Sequence, residues 1–91
     1  MDKLFNTTIL TKEGPVFQGE VASLVAPGEI GYLGVLANHA PLATSLIPGK
    51  VILKDSAGKI TAFESTGNGF LEVLKNEVLV LLDSVGSRHS V

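Results

Sequence analysis

The 91-residue chain has no cysteine and no tryptophan, one tyrosine, and only two histidines. Without cysteine there is no disulfide and no thiolate-ligated zinc or iron–sulfur site. Charge is scarce as well: seven Lys and Arg stand against nine Asp and Glu, for a formal net charge of -2. That balance gives no basic stripe, so an electrostatic nucleic-acid binder is excluded. No long apolar run is present. The longest, Val78 to Leu82, falls far below the ~18 residues of a membrane-spanning helix. Met1-Asp2-Lys3 is followed by no apolar stretch of signal-peptide length, so a soluble domain is expected. What the chain does hold is aliphatic. Val, Ile and Leu account for 28 residues, and apolar residues make up 45% of the whole. High apolar content with low net charge argues a single folded domain rather than a disordered tail.

Gly and Pro divide the chain at short intervals: Gly14-Pro15, Pro27-Gly28, Pro48-Gly49, Gly58, Gly67 and Gly69. Such spacing ends short elements, not long helices. Leu4–Thr11, Val16–Ala26, Leu33–Leu36, Leu42–Ile47 and Val51–Leu53 read as strands, with Gly19 marking a bulge or close approach. Asp55-Ser56-Ala57-Gly58 reads as a hairpin loop. Ile60–Ser65 returns from it with Thr61, Phe63 and Ser65 on one face. Leu71, Leu74, Val78, Leu81 and Leu82 fit a helical stripe, but Gly67-Asn68-Gly69 is poor helix-starting chemistry. Two strands, Phe70–Leu74 and Val78–Leu82, turning at Lys75-Asn76-Glu77, are the better reading. The expected fold is all-β: an antiparallel β-sandwich or flattened barrel of about ten short strands over 1–84, then a short polar tail over 85–91.

Motifs that carry catalysis are missing from the sequence: no G-x-S-x-G elbow, no H-E-x-x-H pair, no phosphate loop. Gly28, Gly31 and Gly34 recur every third residue, which is not a dinucleotide fingerprint and reads as backbone turns. His39 and His89 are too far apart for a local metal pair. His39, in Asn38-His39-Ala40-Pro41, reads as a turn histidine bonding loop backbone, with a partner contact as the sharper alternative. His89 reads as solvated in the tail. Asn6-Thr7-Thr8 matches a glycosylation sequon with no secretory signal before it. Lys50, Lys54 and Lys59 read as guards of an edge strand. No catalytic residue, cofactor site or metal site is expected. A lipoyl or biotinyl carrier domain has similar size and would need an exposed lysine at a hairpin tip. Lys59 is the nearest candidate, but Asp55-Ser56-Ala57-Gly58-Lys59 does not resemble the tip of those carriers.

Five segments in order resemble one family. Gly14-Pro15-Val16-Phe17-Gln18-Gly19-Glu20-Val21 is similar to the start of the epsilon subunit of F-type ATP synthases. Gly28 through Leu42, which includes His39-Ala40-Pro41-Leu42, resembles that family's signature segment. Pro48-Gly49, Gly69-Phe70-Leu71-Glu72-Val73 and Val78–Leu81 with Asp83-Ser84 follow in the family's order and spacing. The resemblance covers about Leu4 to Ser84. It implies a ten-strand β-sandwich at the foot of the central stalk, docked on the gamma subunit and the c-ring and turning with both, with catalysis left to other subunits. It further implies contact with the α/β catalytic head only indirectly, and a peripheral position on the cytoplasmic face of the energy-coupling membrane.

Residue by residue, the resemblance makes Thr11, His39, Leu42 and Thr44 candidates for the gamma side. It makes Glu29, Ile30 and Tyr32, in the loop between Pro27 and Leu33, candidates for the c-ring side. The sequence departs from the family at several points. Position 32 is usually acidic and is Tyr32 here, which shifts the expected ring contact away from charge or onto Glu29. Position 37 is often Pro and is Ala37. The Gly-Gly before Phe becomes Asn68-Gly69, and Asn there is expected to supply the left-handed conformation. Most members continue into two C-terminal helices that can inhibit hydrolysis. Ser84–Val91 has neither the acidic nor the Ala-rich start of such helices, and the start at Met1 favours a naturally short member.

Overall fold

The protein was described from a computed structural model, which describes residues 3–90. It is built of ten strands: β1 (Phe5–Thr11), β2 (Gly14–Val21), β3 (Ser23–Gly28), β4 (Gly31–Leu36), β5 (Leu42–Leu46), β6 (Gly49–Lys54), β7 (Ile60–Ser65), β8 (Gly69–Leu74), β9 (Glu77–Leu82) and β10 (Val85–Ser90). They pair in the order β10-β7-β6-β3-β5-β8-β9-β1-β2, with β4 added to β3. Every pairing is antiparallel except β1 with β9, which is parallel.

Alternation along the strands builds the core. In β7, Thr61, Phe63 and Ser65, which the sequence pattern puts on one face, turn inward, and in β1 Phe5, Thr7 and Ile9 do the same. Phe5, Ile9, Leu24, Leu46, Val51, Leu53, Phe63, Leu71 and Val80 are buried with essentially no accessible surface. Burying an aliphatic or aromatic side chain of this size contributes about 1.5–3 kcal/mol. Phe17 of β2 meets Phe63 edge to face across the core, with ring centroids 6.2 Å apart. β3 turns a corner. Its first half, Ser23–Val25, pairs with β6, and its last residue, Gly28, pairs with Leu46 of β5. The chain of β5 and β6 bends around Pro48 to stay alongside it.

The β8–β9 hairpin is as the sequence implies. Its two loop residues, Lys75 and Asn76, both have positive φ (49° and 59°), the signature of the turn whose twist matches the strands.

Other expectations differ from the structure. Val16–Ala26 is two strands broken at Ala22, and the irregular register in β1–β2 falls at Ile9/Leu10, not at Gly19. Lys50 and Lys54 guard no edge, since β6 lies between β3 and β7. Lys50 instead sits opposite Glu64, and Lys54 opposite Ile60. The polar tail is a strand: residues 85–90 form β10 and pair with β7 through a bulge, with His89 opposite Ala62. Backbone pairing needs no apolar alternation, and Val85-Gly86-Ser87-Arg88 offers none to read. Arg88 lies with its guanidinium 5.2 Å from the Phe63 ring centroid.

Candidate interaction site

The β3–β4 hairpin carries the three ring-side candidate residues. Gly28 and Gly31 are its closing pair, so Glu29 and Ile30 alone form the loop. Ile30 is fully exposed, with no part of its side chain against the domain. A side chain added at Gly28 would meet the Gly31 carbonyl and the Leu33 methyl at 2.8 Å, so glycine lets Leu33 tuck under the turn. The anticipated loop between Pro27 and Leu33 is therefore mostly strand, and Tyr32 stands within β4 opposite Pro27.

Tyr32 is 61% exposed, so it is not part of the core. Its hydroxyl accepts a hydrogen bond from the Lys50 backbone N–H at 3.2 Å. Gly49 makes this possible: a Cβ there would come within 2.9 Å of both the Tyr32 hydroxyl and Pro27. Ile47 donates its N–H to the Pro27 carbonyl (2.9 Å), and the Glu29 N–H reaches the Ser45 carbonyl (3.3 Å). The hairpin is thus tied to the β5–β6 bend from both sides. Ile30, Tyr32 and Ile47 are all exposed apolar side chains on these tied segments. Glu29 is the one charge in the hairpin loop.

The gamma-side candidates do not form one cluster. His39, Leu42 and Thr44 follow one another in the β4–β5 turn and along one face of β5, each half-buried. Thr11 is on β1, separated from β5 by β9 and β8. Its hydroxyl accepts the Glu13 N–H at 3.2 Å and donates within its own turn, to the Gly14 carbonyl (3.3 Å). The His39 N–H bonds the Leu36 carbonyl at 3.2 Å, and its Nδ1 bonds the Ala40 carbonyl at 2.7 Å, the loop-backbone bonding expected of a turn histidine. A carbonyl only accepts, so Nδ1 carries the proton in this bond.

A clasp that sequence reasoning missed holds this turn. The Asn38 N–H donates to Asn76 Oδ1 (2.5 Å), Asn76 Nδ2 donates to Asn38 Oδ1 (3.0 Å), and the Asn76 carbonyl accepts the Asn6 N–H (2.9 Å). Asn38 itself has φ 65°. The left-handed asparagine anticipated at position 68 is therefore found at 38 and 76. The only sequence signal for the clasp was the taste of Asn for turns.

Outward positions of neighbouring strands also carry apolar side chains. Phe70 of β8 lies opposite Leu81 of β9, and Leu10 of β1 lies on the far side of Leu81. An open groove beside this row is lined by Thr8, Leu74, Val78 and Leu79 together with the charged Glu72, Lys75 and Glu77.

The loop carrying Lys59 is a capped turn. Asp55 Oδ1 accepts the N–H groups of Ala57 and Lys59 at 2.9 Å each. Among the described residues no group of three or more His, Asp or Glu is placed to hold a metal ion. No helix long and apolar enough to cross a membrane is present among them.

The ten-strand fold defines a β-sandwich domain. Residues 4–87 match the family described as "ATP synthase, Delta/Epsilon chain, beta-sandwich domain". The chain belongs to that family. It is 40% identical over 83 residues to the ATP synthase epsilon chain of Dichelobacter nodosus, an alignment that covers 91% of this chain and 57% of the relative. With the ATP synthase epsilon chain of Xanthomonas campestris pv. campestris (strain B100) it shares 43% identity over 76 residues, 84% of this chain and 54% of the relative. The chain thus spans little more than half the length of the relatives it matches.

Two solved structures share the fold. One is a chain in the cryo-EM structure of the Euglena gracilis mitochondrial ATP synthase (OSCP/F1/c-ring, rotational state 1). It superposes with a TM-score of 0.85 at 22% identity, over 91% of this chain and 52% of that one. The other is from the central stalk/c-ring structure of the Tetrahymena thermophila mitochondrial ATP synthase, with a TM-score of 0.71 at 12% identity, over 94% and 68% of the two chains.

Proposed function

We propose that this chain is a non-catalytic rotor subunit of an F-type ATP synthase, which helps couple ion translocation to ATP synthesis by binding the gamma subunit and the c-ring. In that role it lies peripheral to the membrane on its cytoplasmic face and meets the α/β head only indirectly. Family membership supports the complex. The observation that carries the docking mode is Ile30, a fully exposed isoleucine at the tip of a hairpin that is tied down on both sides.

Glu29, Ile30 and Tyr32 form the ring-facing surface. With Tyr32 where the family usually has an acid, that contact is apolar at its centre, with Glu29 as its single charge. His39, Leu42 and Thr44, with Thr11 beyond two intervening strands of the same sheet, form the proposed gamma-facing surface.

Ile30→Ala tests this reading. The side chain contributes nothing to folding, so the variant keeps its stability. Fully burying an isoleucine is worth about 1.5–3 kcal/mol. The variant therefore binds the membrane sector more weakly, by about 10- to 100-fold, and raising the salt concentration weakens wild-type binding little. Unchanged binding by Ile30→Ala would remove the hairpin tip from the ring contact.

A further inference from the structure

Four asparagines stand in the chain, and the fold treats one of them differently. The Asn6 side chain donates to Glu77 at 2.6 Å, and Asn38 and Asn76 hold each other in the clasp. Asn68 is exposed, and its side-chain amide bonds nothing among the described residues. It is also the one asparagine followed by glycine. A glycine nitrogen has no side chain to shield it, so it can close a cyclic imide on the amide carbon of the asparagine before it. The fold fixes this glycine in place. A Cβ at position 69 would fall against the Leu81 carbonyl and, at 2.9 Å, against a Leu82 methyl. Open concavities flank the pair, one lined by Leu82 and Asp83 and the other by Glu29 and Ile47, so water reaches it from both sides.

The sheet restrains the reaction. Leu74 and Glu77 close a two-residue turn, so hydrogen-bonded and non-bonded pairs alternate along β8 and β9 from there. Phe70 falls in a bonded pair with Leu81, and the Asn68 carbonyl accepts the Asp83 N–H at 3.0 Å. Gly69 lies between them, so its N–H points the other way, at Leu46 of β5. The Leu46 carbonyl is available to it, because the bonds from this segment to β3 are made by Ser45 and Ile47. The Gly69 nitrogen is thus both the atom that would attack and a donor in the sheet. Its pair with Leu46 is the last of the β5–β8 ladder, and ladder ends open at low cost.

We infer that Asn68 is the site of spontaneous deamidation in this chain, and that the reaction waits for the Gly69 N–H to leave Leu46. In the opened junction the Gly69 nitrogen attacks the side-chain carbonyl carbon of Asn68. The nitrogen gives up its proton, and ammonia leaves. Water then opens the cyclic imide at either carbonyl, to aspartate or to isoaspartate. The product places a new negative charge between the concavities that Asp83 and Glu29 line. Isoaspartate also lengthens the main chain by a methylene immediately before β8. Both changes oppose closing the ladder end again, so the modification is a covalent record of time spent open. The inference does not depend on the rotor-subunit reading.

The test incubates the chain in mildly alkaline buffer, folded and unfolded in urea, and maps its peptides by mass spectrometry with separation of aspartate from isoaspartate. The amide-to-acid mass gain is confined to the peptide holding Asn68, and it forms about 100-fold more slowly in the folded chain. Amide exchange at Gly69 is protected to the same extent, within about threefold, and urea below the unfolding midpoint speeds both processes together. Asn68→Gln, which keeps an amide but closes the larger imide ring far more slowly, leaves the folded chain unmodified. A mass gain that comes first at Asn38 or Asn76 overturns the site. Equal rates in the folded and unfolded chain, or a slow reaction beside an unprotected Gly69 amide, overturn the gate. An Asn68 still intact in the folded chain after about a thousand unfolded-state half-lives is sealed by the fold, which overturns the site as well.

Discussion

Thr7 offers the sharpest test of the packing. It lies in the middle of β1, between Gly19 of β2 and Val78 of β9, and has no accessible surface. Its neighbours on the same face, Phe5 and Ile9, are core residues. Its hydroxyl oxygen has no hydrogen-bond partner. Burying a hydroxyl without one costs roughly 1–3 kcal/mol by mutational measures. Thr7→Val keeps the β-branched shape and replaces the hydroxyl with a methyl of similar size, so it removes that cost without opening a cavity. Stability should rise by about 1–2 kcal/mol, which is a Tm increase of about 4–8 °C per kcal/mol for a domain of this size. In urea, with a slope near 1 kcal/mol/M, the midpoint should move up by about 1 M per kcal/mol, with the slope itself unchanged. Thr7→Ala, which also deletes the methyl, should be less stable than Thr7→Val. If Thr7→Val is neutral or destabilising, the hydroxyl is satisfied in solution and the reasoning fails.

Three further outcomes follow from the geometry. Gly49→Ala forces a Cβ within 2.9 Å of Pro27 and the Tyr32 hydroxyl and should cost about 1–3 kcal/mol. The chain has one tyrosine and no tryptophan, so its intrinsic fluorescence reports this junction directly and should change in the folded variant. Asn76→Ala breaks the clasp to Asn38 and leaves a non-glycine, non-asparagine residue at φ 59°. A loss of about 1–2 kcal/mol is expected in thermal melts. The purified chain should hydrolyse no ATP, and turnover abolished by changing one of its own residues would contradict the non-catalytic assignment.

The strands that bury one face were legible in the sequence because alternation and burial are the same fact in a sheet. Ile60–Ser65 shows this: the alternation grouped Thr61, Phe63 and Ser65 on one face, and the fold turns that face inward. The Lys75-Asn76 hairpin was legible because a two-residue turn needs left-handed conformations that Asn tolerates. β10 was not, because an edge strand held by backbone bonds to β7 carries no compulsory pattern. Nor was the place of the lysines: that β6 is internal depends on β3 reaching it from some thirty residues away. For the candidate site, the identity of the segment came from resemblance. Its shape came only from the fold, since nothing local says that Gly49 and Lys50 meet Tyr32. The spacing of the gamma-side candidates was illegible for the same reason: four candidates taken one at a time carry no information about which strands separate them.

The exposed apolar residues separate what the fold requires from what it does not. Strand alternation dictates that Phe70, Leu74 and Leu81 face outward, and each keeps 40% or more of its surface accessible. Folding recovers only part of their transfer free energy, so a polar side chain at these positions would cost the isolated domain little. Single exposed apolar residues are ordinary on protein surfaces. These are not single: Phe70, Leu81 and Leu10 line up across three adjacent strands, and Ile30, Tyr32 and Ile47 lie on the hairpin and the β5–β6 bend tied to it. A domain selected only to fold and stay dispersed has no reason to keep such rows, because contiguous apolar patches invite association. A domain that works inside an assembly does have one, since each row becomes interior once its partner is in place. The apolar residues of this chain are thus divided between a core that the alternation pattern reveals and exposed rows that only the strand register brings together.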